Sequence, residues 1–142
     1  MTNQSTLEEL IIAARSGDQN AETLFYIKLH VRFSNLVTRE LRKYPIVGKR
    51  IDLENEAEQI CQFALNEVKK LFPINSSKFS LIVAINVLHN VVDGSIANML
   101  ADLAKQGDHE AENLLFSIIR QKLVERINRK RWRTAQNEHE NK

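Results

Sequence analysis

One cysteine, Cys61, leaves the chain without an internal disulfide, and a reducing, cytoplasmic setting is expected. Four glycines and two prolines leave few places where a helix must stop. No apolar run approaches the roughly 20 residues that cross a bilayer. The polar, acidic N-terminus does not suit a signal peptide, so no membrane partner is expected. The net charge of +2 means that composition alone calls for no nucleic acid. Zinc chemistry lacks its cysteine pair, and His30, His89, His109 and His139 show no metal-ligand spacing. A phosphate-cradling glycine loop is missing too. His89, near Asn90 and Asp93, reads as a cap or a satisfied core residue, and Cys61 as packing. Neither a cofactor nor an enzymatic activity is expected.

At 142 residues the chain suits a single domain that buries about 70% of its unfolded surface. Helical periodicity dominates, and strand-like alternation is only scattered. The expectation is an all-α bundle of about six helices over 1–135, with a disordered tail over 136–142.

A short stretch appears twice. Gly17-Asp18 and Gly107-Asp108 are each followed by Ala and Glu at the same offsets (Ala21, Glu22; Ala111, Glu112) and by Leu two residues later. Glycine ends a helix in the left-handed conformation without steric cost. The aspartate after it can cap the next helix by accepting from an unpaired amide. Each stretch therefore predicts a joint between a short helix and a long one. A shift of 90 residues also aligns Leu10 with Leu100, Phe25 with Leu115, Leu29 with Ile119, Phe33 with Leu123 and Val37 with Ile127. A generic helix–helix junction and a duplicated helix pair both account for this, and both predict the same boundaries.

In order, Thr6 and Glu9 fit a capping box for a helix over 7–16. A second helix carries the stripe from Leu24 to Leu41 and ends before Pro45, which leaves 44–51 as a loop with a basic end at Lys49 and Arg50. Asp52 caps a third helix over 53–72, with acids in its first turns and Lys69 and Lys70 in its last. Ser76 or Ser77 caps a fourth helix that is apolar almost all round as far as Val92; such a helix is expected at the centre of the bundle. Asp93-Gly94-Ser95 should break it before a short helix over 96–106 and the last long helix.

Two motifs in sequence resemble region 2 of sigma-70-type transcription initiation factors, most closely the extracytoplasmic-function branch. One is Gly17, Asp18, Ala21 and Phe25 after a short apolar helix; the other is Glu56-Ala57-Glu58-Gln59-Ile60-Cys61-Gln62, followed by Leu65, Val68 and Phe72 at the family's apolar spacing. The resemblance spans about residues 7–93, with 95–133 left as a second helix pair like the first. It implies a transcription factor or regulator whose third helix binds a coiled-coil element of RNA polymerase, through Glu56, Glu58, Gln59 and Gln62. The alternative for these acids is plain complementarity to the helix dipole, with solvated glutamines. Phe63 stands where the family has an acid. The family's promoter-melting helix carries a Trp and cations, whereas 81–92 here has no Trp, Arg or Lys, so complete promoter recognition is not implied.

The last helix gathers Arg126, Arg129, Lys130, Arg131, Trp132 and Arg133. This cluster points to DNA or RNA held by phosphate contacts and stacking, to an acidic protein, or to a solvated helix end. A non-catalytic helical adaptor is the remaining reading, and the sequence does not fix an oligomeric state.

Overall fold

The computed structural model describes the backbone of residues 5–50 and 52–140 and the side chains of 5–48 and 52–133. Six helices run in the order α1 (Leu7–Arg15), α2 (Gln19–Arg42), α3 (Pro45–Arg50), α4 (Leu53–Leu71), α5 (Leu81–Lys105) and α6 (His109–Glu140), with no strand among the described residues. The all-α expectation holds. The chain divides into two compact units, Met1–Ile96 and Ala97–Lys142.

Both Gly-Asp joints are helix corners, and their hydrogen bonds match atom for atom. Gly17 and Gly107 have φ of 100° and 94°, in the left-handed region. The Gly17 amide donates to Ala14 O at 3.0 Å and the Asp18 amide to Ala13 O at 3.1 Å; Gly107 to Ala104 O and Asp108 to Leu103 O are both 3.0 Å. This crossed pair is the Schellman closure of a helix C-terminus. The same aspartate opens the next helix. Asp18 Oδ1 accepts from the Ala21 amide at 3.0 Å, and Asp108 Oδ1 from the Ala111 amide at 3.1 Å. At the chain's start, Thr6 Oγ1 accepts from the Glu9 amide and donates to the Glu9 carboxylate, both at 3.1 Å.

The first unit is built around α2. Ala21, Phe25, Leu29, Phe33, Val37 and Leu41 are all fully buried, one every fourth residue. A ridge of that spacing runs obliquely round its helix, so no single neighbour can follow it. α1, α4 and α3 each pack on α2. α4 presents a two-residue-wide stripe, Ala57, Ile60, Cys61, Ala64, Leu65 and Val68. Cys61 is fully buried, and desolvation pushes its thiol pKa up.

Several expected features differ. Proline 45 starts a helix instead of only ending one, because its missing amide costs nothing at a first helical position; Ile46 and Val47 are buried as a result. The expected loop over 44–51 is therefore largely α3, with the side chains of Lys49 and Arg50 and the whole of Ile51 outside the described residues. The fourth expected helix begins at Leu81, where Ser80 Oγ accepts from the Val83 amide, while Ser76 Oγ only closes a turn onto the Lys78 amide. Asp93-Gly94-Ser95 lies inside α5 and does not break it. Nor is α5 central. It buries one ridge, Ala84, Leu88, Val92, Ile96 and Leu100, and exposes Ile82, Asn86, His89, Asn90 and Asp93. By length and composition alone α5 could cross a membrane; the one-sided burial is that of an amphipathic packing helix. α6 continues to Glu140, through most of the segment expected to be a disordered tail, and residues 141 and 142 lie outside the described residues.

The segment between α4 and α5 is tied down by Arg15. Its guanidinium donates to three backbone carbonyls: Ile74 at 3.0 Å, Ser76 at 3.1 Å and Phe79 at 2.8 Å. Phe79, so held, packs edge-on against Phe25, ring centroids 5.7 Å apart.

Three stability outcomes are expected. Gly17→Ala forces a Cβ into the left-handed region and costs about 1 kcal/mol, and Asp18→Ala loses a cap for about the same. Arg15→Lys cannot reproduce a planar fork across three carbonyls and costs about 1–3 kcal/mol. Urea denaturation reads each, and a wild-type midpoint for Arg15→Lys would show that the three-carbonyl clasp adds nothing.

Candidate protein-docking groove

The first unit carries an open groove of about 710 Å³, walled by α2 and α4 and floored at one end by the segment that Arg15 holds. From α2 it takes Tyr26, Ile27, His30 and Val31; from α4, Gln62, Leu65 and Lys69; from the following segment, Pro73 to Asn75. Ile27 and Val31 are more than half exposed. They form a second apolar ridge on α2, off the core ridge. Exposed apolar side chains with polar groups at the rim make this groove the candidate interaction surface of the first unit.

The polar rim is ordered. Glu58 Oε1 accepts from Gln62 Nε2 at 3.2 Å and lies 3.1 Å from His30 Nε2. Hydrogen bonds from Gln62 and then from His30 hold the exposed Glu58 carboxyl below its ordinary pKa. Across the groove, Lys69 Nζ sits 4.7 Å from the centroid of the Tyr26 ring. Burial, with the nearby Glu22 charge adding to it, raises the Tyr26 phenol's pKa. These groups fix one another in place. No nucleophile is set against a base here, and no metal-binding cluster occurs among the described residues.

Of the four α4 residues expected to bind a partner, Glu58 and Gln62 come together at the groove edge. Gln59 is exposed on the middle of the outer face. Glu56 is half-buried, and at about 100° per residue it falls on the far flank of that face. Beside it stands Phe63, 57% exposed. Sequence reasoning missed His30, Ile27 and Val31. The last two left a signal, a β-branched pair at i and i+4 outside the core stripe. His30 left none, because its partner lies 28 residues away.

In the second unit, Arg126, Arg129, Lys130, Arg131, Trp132 and Arg133 are all exposed on α6. Trp132 shows 65% of its surface, and Arg129 approaches Glu125 at 4.0 Å. These residues are distributed round the helix: Arg126, Lys130 and Arg133 on one side, Arg131 and Trp132 on the other.

A lowered folded-state pKa means that Glu58 favours folding above its unfolded pKa and loses that contribution as pH falls through the folded value. Gln62→Ala removes the larger cause. The Glu58 midpoint, followed by carboxyl-carbon NMR, should therefore move upward in that variant; an unmoved midpoint would assign the shift to His30 alone.

No protein-family model matches the chain, and neither a curated protein nor a solved structure matches it; the likeness to sigma region 2 therefore rests on the chain's own motifs.

Proposed function

We propose that the chain is a non-catalytic, sigma region 2-like transcription regulator whose first unit docks RNA polymerase, or a protein with a similar helical element, along the α2–α4 groove. The observation that carries the reading is the groove itself: Ile27 and Val31 stand open to water beside Glu58 and Gln62, residues the family resemblance already assigned to partner contact. An apolar strip with an ordered polar edge between two helices suits a partner helix laid along it. A small-molecule site would instead enclose its ligand and converge polar groups on it. Promoter melting is not part of the proposal, because α5 carries no Trp, Arg or Lys between 81 and 92.

The exposed cations and Trp132 on α6 favour a second reading, a nucleic-acid contact made by the second unit.

Pull-down of core RNA polymerase tests the first. Ile27→Glu and Glu58→Lys should each cut capture about tenfold or more, since each changes the centre or the polar edge of the interface. Undiminished capture by both would remove this groove from the contact. For the second reading, DNA or RNA affinity should fall steeply with salt and drop in an Arg129→Ala, Arg131→Ala variant. Absence of binding at low salt would dismiss it.

A further inference from the structure

Seven cations lie from Arg120 to Arg133, and Glu125 is the one acid in the sequence over 113–137. Cations near a helix C-terminus answer the helix dipole, whose field is confined to the last turn. α6 runs on to Glu140, so Arg126, Arg129 and Arg133 lie in its interior and the dipole does not account for them. All three are exposed. The Glu125 carboxylate comes within 4.0 Å of Arg129, an exposed pair of the kind that contributes little.

The three arginines are spaced by three residues and then by four, which averages close to one helical turn. At about 100° per residue they fall within a sector of about 60° and do not wind off it. Their steps along the axis are about 4.5 and 6 Å, close to the step between neighbouring phosphates of an extended nucleic-acid strand. Lys122 and Lys130 lie in or beside this sector, but both already have interaction partners; the arginines carry the face without them. Trp132 stands three residues on from Arg129 and about 60° further round, so it flanks the arginine face at its Arg129 edge. Its indole is 65% exposed. Charges in line with one exposed aromatic beside them match a strand whose phosphates meet the arginines and whose unpaired base stacks on the ring. In a duplex the bases are already stacked on one another, and a lone indole would have to break that stacking at a cost. A carboxylate-rich protein segment answers the charge alone.

We propose that this face of α6 binds single-stranded nucleic acid, with Arg126, Arg129 and Arg133 on successive phosphates and Trp132 stacked on a base. Such binding rests on the second reading above, nucleic-acid contact by the second unit, and adds which form is bound and by which face.

Trp132 is the only tryptophan of the chain, so its emission reports this site alone. Titration of the full chain at low salt with a short oligothymidylate, or with its uridine counterpart, should quench that emission, and a duplex of the same length should quench it far less. Anisotropy of a labelled strand reads the variants, with circular dichroism confirming unchanged helix content. Trp132→Ala should weaken binding about tenfold, and Trp132→Phe should recover part of the loss. Arg126→Ala and Arg133→Ala should each weaken binding and make the slope of log K against log salt shallower by about 0.7. Arg120→Ala removes the same charge at least about 120° round the helix from these arginines and should leave both quantities nearly unchanged. Strand binding without quenching, or equal losses in Arg120→Ala and Arg126→Ala, would overturn the single-strand face while leaving nucleic-acid contact by the second unit in place. Polyglutamate displacing the labelled strand as well as unlabelled strand does would make the face a general anion trap and overturn it too. No binding of strand or duplex at low salt would remove the second reading along with it.

Discussion

A glycine with positive φ, followed at once by an aspartate, is the constraint on which the rest of the fold hangs. Gly17 closes the last turn of α1, and Asp18 is both the end of that closure and the cap of α2. No residue is left over between the two roles. Hydrogen bonds at the corner therefore set the direction in which α2 leaves α1. Leu10 and Ala21, on either side of the corner, are fully buried as a consequence. With α2 so placed, its fourfold-spaced ridge winds past α1, α4 and α3, and these enclose it. Arg15, one residue before the C-cap of α1, then reaches the segment that leads into α5. One corner thus orders both the start of the chain and its segment over 74–79.

What could be read beforehand was what depends on neighbours in the sequence. Gly17, Asp18, Asp52, Gly107 and Asp108 do what their local chemistry dictates, because a cap and its amide are three residues apart. Core ridges were legible for the same reason. Proline and glycine were ambiguous. Pro45 fits the first turn of a helix as well as it ends one. Gly94 costs an exposed helix interior about 1 kcal/mol. The unbroken ridge from Ala84 to Leu100 outweighs that, since each residue along it is nearly or fully buried. The place of α5 was misread because abundance of apolar residues does not say how many faces are covered. α2 is less apolar overall and occupies the centre, because its ridge is the one its neighbours enclose.

The groove was half legible. Glu58 and Gln62 could be singled out from their motif, four residues apart on one helix. That they share a hydrogen-bonded edge with His30 depends on how α2 and α4 lie together, which periodicity within either helix does not encode. Ile27 and Val31 stand two residues on from Phe25 and Leu29, at about 100° per residue on the side of α2 away from the core ridge, and so stay exposed. The groove joins them to Leu65 and Ile74, which belong to the core, and to the polar residues between.

The second corner separates what a joint supplies from what a core requires. Gly107 and Asp108 reproduce every hydrogen bond of the first pair, and Ala111 is as fully buried as Ala21. Beyond that first turn the likeness in burial ends. The α2 ridge carries two phenylalanines and is met by α4, whose own stripe is two residues wide. The α6 ridge is aliphatic, with Glu112 before it and Lys130 after it, and Ile119, Leu123 and Ile127 stay open. The corner therefore sets only the first turn of the helix it opens; burial beyond Ala111 depends on the residues that follow.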